Sequence, residues 1–94
     1  METIRISGLE DGRAALRGAA RVALPVDSGG AAWAAEIARA LRAEFPGAVV
    51  AADCGHSAGA AMAALREGLT EIGFDGPPEI AAKLEAMGAR VNRG

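Results

Sequence analysis

Apolar and polar positions along this chain repeat with two spacings that take turns, one near two residues and one near four. Ile4 and Ile6 alternate with Thr3, Arg5 and Ser7, which predicts a short half-buried strand ending at Gly8. Residues 9–20 carry Glu10 and Asp11 early and Arg13 and Arg17 later, the order a helix dipole favours, although Gly12 and Gly18 weaken the helix. Residues 21–27, RVALPVD, alternate Val22, Leu24 and Val26 with other residues. Pro25 withholds one ladder donor, so the strand is disturbed at its end or lies at an edge. Residues 28–47 form the clearest helix, with Trp33, Ile37, Leu41 and Phe45 spaced by four along one stripe and Glu36, Arg39 and Arg42 off it. Pro46 and Gly47 stop it.

The second half repeats the alternation. Residues 48–53, AVVAAD, are apolar in both phases, as a strand of a parallel sheet covered on both faces would be. Ser57 is placed to cap a helix whose Met62, Leu65 and Leu69 make a narrow apolar stripe, and Gly68 suits its closing turn. TEIGFD, residues 70–75, is the next strand. Pro77 and Pro78 open a last helix in which Ile80, Leu84 and Met87 are expected to face inward before Gly88 ends it, and residues 89–92 begin one more strand.

Strands alternating with helices through short loops require parallel pairing and crossovers of one hand. The fold class is therefore α/β, a single domain over residues 1–94 with a parallel sheet. Two architectures fit: half of a (βα)8 barrel, or an open flavodoxin-like sheet. The spacing from Asp27 to Asp53 and from Asp53 to Asp75 is one βα unit each, but the units share little residue identity.

Composition changes this picture in one respect. Hydrophobic residues are 51% of the 94, yet alanine dominates them and aromatic residues are only 3%, so the apolar mass comes in small units. A chain this short buries a modest share of its surface. Self-association, as a dimer or a larger assembly, is the expected remedy, and it would also cover the strand edges of a free half-barrel. A net charge of −2, with nine arginines and one lysine scattered along the chain, leaves no footprint for nucleic acid. No apolar run approaches a membrane span, and METIRISGLEDG lacks the regions of a signal peptide, so a cytoplasmic protein is expected. A lone cysteine fits a reducing compartment.

Chemistry, where there is any, should gather at one edge. Asp27, Asp53 and Asp75 each follow an apolar strand directly, and parallel strands end on the same side, where α/β proteins keep their ligand sites. Aspartate is also common there as a turn and helix cap. If the carboxylates converge, they call for a cation, a shared proton or a polyol. Gly29 and Gly30, in DSGGAA, could present backbone N–H groups to an anion at a helix start, or be ordinary turn residues. Cys54 and His56 beside Asp53 are candidate metal ligands, with zinc the ion they would suit. Adjacent side chains of an extended segment point opposite ways, however, so the three cannot share one ion without a turn.

The stretch ADCGHSAGAAMAALREGLTEIGFDG resembles a segment of class II, zinc-dependent fructose- and tagatose-bisphosphate aldolases, which read L-D-H-G, a helix, then G-F-T-S-V-M-I-D-G-S over two barrel strands. Asp53 and Gly55 match the first D and G, Gly68 and Thr70 the following G and T, and Asp75 and Gly76 the closing D-G. The similarity covers residues 22–76. It implies a barrel-derived fold and gives Asp53 the place of the acid that handles protons beside the substrate carbonyl. The family's zinc-binding histidine is replaced by Cys54, and its later ligands have no counterpart in a chain this short, so the resemblance implies a half-barrel relative without the aldol chemistry.

Three functions follow as expectations. The leading one is a small, non-catalytic, homo-oligomeric α/β protein that binds a small ligand along the edge carrying Asp27, Asp53 and Asp75. The alternative is a metal-assisted lyase or isomerase acting on a small carbonyl or sugar-phosphate-like substrate, with Asp53 moving protons and Cys54 or His56 on the metal. The third is an interaction module whose edge acids only cap turns.

Overall fold

The computed structural model describes residues 3–26 and 30–93. Elements alternate throughout: β1 Ile4–Arg5, α1 Leu9–Leu16, β2 Arg21–Pro25, α2 Ala31–Glu44, β3 Val49–Asp53, α3 Ala58–Arg66, β4 Glu71–Gly73, α4 Pro78–Ala86 and β5 Arg90–Asn92. All five strands are parallel and lie in one sheet in sequence order, β1-β2-β3-β4-β5. That is the order of consecutive barrel units; a flavodoxin-like sheet runs 2-1-3-4-5 and reverses direction at a switch point. With sequential order and crossovers of one hand, all four helices fall on the same face.

Burial follows from that arrangement. On the helix side, Ile6, Val22, Leu24, Val50, Ala52, Ile72 and Phe74 form one core with Ala34, Ala38 and Leu41 of α2, Ala61 and Ala64 of α3 and Leu84 of α4. The alternate residues, Arg5, Arg21, Ala23, Pro25, Val49, Ala51, Asp53, Glu71, Gly73, Arg90 and Asn92, stand on the other face. Ala51 is buried yet lies outside the core cluster, as expected of a residue at the bottom of a second, separate surface.

Local chemistry explains the boundaries. At the start of α1, the Asp11 carboxylate accepts from the N–H groups of Ser7 (2.7 Å) and Gly8 (2.9 Å) and from the Ser7 hydroxyl, and these bonds hold its pKa below the ordinary value. The helix closes at Leu16 instead of running to residue 20: the Gly18 N–H tightens the last turn by an i to i−3 bond to the Ala15 carbonyl, which it shares with the Ala19 N–H. Pro25 sits mid-sheet, not at an edge. Val26 N–H donates to Asp53 O on the β3 side, so alternation turns the proline nitrogen toward β1, whose last paired residue is Arg5. The β1–β2 ladder accordingly breaks off there, after Ile6 N–H has donated to Ala23 O at 3.0 Å.

Two expected apolar stripes are corrected by the structure. In α3 the buried residues are Ala61 and Ala64, with Met62 and Leu65 only flanking them, whereas Leu69, beyond the helix end, is buried in the core as the stripe predicted. Methyl-sized side chains let the helix lie close on the sheet, and the longer ones fill the seams beside it. Met87 does not face inward. It is 52% exposed, because α4 ends at Ala86 and the Met87 N–H closes the last turn on the carbonyls of Lys83 and Leu84. Gly88, at φ 103°, then takes the chain away in a left-handed turn. In α2, Leu41 is fully buried, while Trp33, Ile37 and Phe45 of the same stripe are partly covered around it.

Candidate functional site

The loops after β3 and β4 lie side by side at the carboxyl edge; two hydrogen bonds tie them to each other, and a third holds the β4 loop to Arg93 beyond β5. Asp75 N–H donates to Gly55 O at 2.7 Å, His56 Nδ1 lies 3.0 Å from Asp75 O, and an Arg93 Nη2 donates to Gly76 O at 2.7 Å. A carbonyl oxygen only accepts, so Nδ1 of His56 carries the proton and Nε2 is left as the acceptor in the neutral ring. Gly55 takes φ 55° to turn the β3 loop, and Ser57 then caps α3 by accepting Ala60 N–H on Oγ at 3.0 Å.

Asp53 stands at the end of β3 on the helix-free face. Its Oδ2 pairs with Arg5 Nη1 at 2.7 Å, and its Oδ1 accepts Gly55 N–H at 3.3 Å. Arg5 is on β1 and Asp53 on β3, so the guanidinium crosses β2, where the residue paired with Arg5 is Ala23. A side chain as large as leucine or phenylalanine there would block it. Arg21 makes the same diagonal step from β2 to Glu71 on β4, at 4.0 Å, and Glu71 also meets Arg90 at 3.5 Å and Asn92 at 3.3 Å.

These residues frame two adjoining hollows. One, of about 360 Å³, lies on the sheet face over Ala23, Ala51 and Gly73. The other, of about 540 Å³, lies at the carboxyl edge among Pro25, Gly55, His56 and Ser57. Arg5, Asp53 and Asp75 border both. The edge cleft has the size of ordinary small-molecule sites, and its walls are polar groups already fixed by other bonds.

Of the residues singled out in the sequence, Asp53, Asp75 and His56 meet at this cleft. Asp27 and Gly29 lie outside the described residues. Gly30 is the exposed N-cap of α2 at φ 81°, where its carbonyl accepts Ala34 N–H. Cys54 contributes to the cleft wall but is buried, and its Sγ–H turns back to Ala52 O at 3.6 Å, on the face opposite Asp53. Among the described residues, no three His, Cys, Asp or Glu side chains group as a metal site would require. Arg5 escaped the sequence reading. The only signal for it was its outward phase between Ile4 and Ile6, which becomes informative once β1 is known to lie two strands from β3.

Burial, and after it the nearby Asp53 charge, pushes the Cys54 thiol up to about 11. Thiolate is the reactive form. Iodoacetamide should therefore label native Cys54 very slowly at pH 8 and rapidly in denaturant; equal rates in the two states would contradict the burial described.

No family model matches the chain, and no curated protein or solved structure matches it. The likeness to class II aldolases rests on the residues quoted for it. No helix among the described residues is long and apolar enough to cross a membrane.

Proposed function

We propose that the protein is a non-catalytic, homo-oligomeric binding protein that takes a small polyhydroxylated, sugar-like molecule in the carboxyl-edge cleft. The observation that carries this reading is the convergence of Asp53, His56 and Asp75 on one cleft whose two loops are tied together by short hydrogen bonds. Hydroxyl groups of a ligand can donate to carboxylates and to an imidazole nitrogen, and a preorganised wall loses little entropy on binding. Acidic lining disfavours a free phosphate, and burial leaves the Cys54 thiol a poor nucleophile toward a substrate at neutral pH.

The test is thermal unfolding against a panel of pentoses, hexoses, alditols and their phosphates. A ligand present at a hundredfold excess over its Kd stabilises the fold by about 2.7 kcal/mol, a shift on the order of 10 °C for a domain this small. Asp53→Asn keeps the side-chain shape and removes the charge. It should change stability by less than about 1 kcal/mol, because the Arg5 partner is largely exposed, and should abolish the ligand-induced shift. A panel without any shift, or a shift that Asp53→Asn leaves intact, counts against the proposal.

A further inference from the structure

A parallel sheet is ordinarily covered on both faces, because its strands are built to be buried. Here the helices cover one face, and the other is open. Small residues, Ala23, Ala51 and Gly73, floor it, and the Arg5–Asp53 and Arg21–Glu71 ion pairs cross above them. What the face offers a partner is therefore mainly its charge pattern over a shallow floor.

The charges on that face are sorted along the strand direction. Arg21 stands on the first rung with Val49, and Arg5 stands on the second with Ala23 and Ala51. Continuing the β3–β4 register back by two residues puts Glu71 on that second rung, and Arg90 pairs beside it. Asp53 follows on the third rung, beside Gly73, and Asp75 comes one step beyond. The amino end of the face is thus rich in arginine and the carboxyl end in carboxylate. Arg5 and Arg90 remain 72% and 79% exposed despite their ion pairs, so each guanidinium, with five donors, keeps N–H groups unspent.

We infer that a second copy of this chain seats on the open sheet face, its strands antiparallel to those of the first. A two-fold axis lying across the strands sets the arginine end of each copy over the carboxylate end of the other, an isologous contact that is its own complement. A parallel arrangement would instead bring Arg5 of one copy toward Arg90 of the other. The inference rests on the self-association in the reading above and adds the surface and the orientation. Arg5, Asp53 and Asp75 border both this face and the edge cleft, so the two readings are told apart by what is read: the thermal panel reports ligand binding, and scattering with cross-linking reports the seat of the second copy.

Light scattering on the intact protein gives the mass. In a Cys54→Ala background, Ala23→Cys places a thiol near the middle of the face, where a short bismaleimide spans the about 10 Å between packed sheets. Glu36→Cys places one on the exposed side of α2. The expected result is a dimer that cross-links through position 23 and not through position 36. Its dissociation constant should rise on the order of tenfold between low and high salt, because complementary charges steer it. A monomer at all concentrations overturns both the surface and the self-association. A dimer that position 23 fails to cross-link overturns the surface alone.

Discussion

Phe74→Ala is expected to lower stability by about 3–5 kcal/mol, the usual cost of emptying a buried aromatic site. Phe74 follows β4 on the helix side, is fully buried, and donates its N–H to Asn92 O. A chain of 94 residues has a stability of about 5–14 kcal/mol, so this one substitution removes a large part of it. The ring also explains a glycine. A Cβ on buried Gly76 would collide with the Phe74 ring, meeting Cε1 at 2.9 Å, although the glycine has no left-handed φ. Gly76→Ala should thus cost about 1–3 kcal/mol in the wild-type background. Once Phe74 is Ala the obstacle is gone, and Gly76→Ala should be close to neutral. Urea unfolding of the four proteins measures this coupling directly, and additive effects would contradict the packing. Gly76 directly follows Asp75, which borders the cleft.

A second pair behaves similarly at the other end of the molecule. Leu41→Ala should cost about 2–5 kcal/mol, because Leu41 is fully buried at the junction of α1 and α2. Gly12 of α1 exists to let that side chain approach. A Cβ at position 12 would meet Leu41 Cδ1 at 2.8 Å and Ile6 Cδ1 at 2.9 Å. Replacing a helix glycine by alanine normally gains about 0.5–1 kcal/mol, but here the collision outweighs it and Gly12→Ala should destabilise. In the Leu41→Ala background the sign should turn, since the new methyl then enters vacated space. Chemical unfolding at one temperature decides it, and a loss of equal size in both backgrounds would count against the described contact.

Much of the fold was legible because its signals are local. The two-phase apolar run at residues 48–53 marked a strand of a parallel sheet, and Pro46 with Gly47 marked the end of α2. Ser57 was read as a cap and is one. In α3 the reading failed because of alanine. A stripe drawn through Met62 and Leu65 overlooks that Ala61 and Ala64 make the close contact, since small side chains leave little trace in a hydrophobic pattern yet decide how near two backbones come. Met87 fell into phase with Ile80 and Leu84, but the helix had ended before its side chain could turn inward.

The candidate site was half legible for a different reason. Asp53 and Asp75 could be placed at the carboxyl edge from the βα period alone, and His56 came with them. Cys54 and Asp53 were expected to diverge as neighbours in an extended segment, and they do. Arg5 could not be assigned, because its partner lies 48 positions away and two strands over, a relation fixed only by strand order. The same holds for the row from Arg21 through Glu71 to Arg90.

The most direct test of the carboxyl-edge cleft as a binding site is a nitrogen-15 amide spectrum recorded during titration with whichever sugar-like molecule gives the largest thermal shift. The expected result is saturable movement of the Gly55, His56, Ser57 and Asp75 signals, with those of the outer helix surfaces unmoved. Movement confined to the helices, or an unchanged spectrum at millimolar ligand, would contradict a binding site at the ends of β3 and β4.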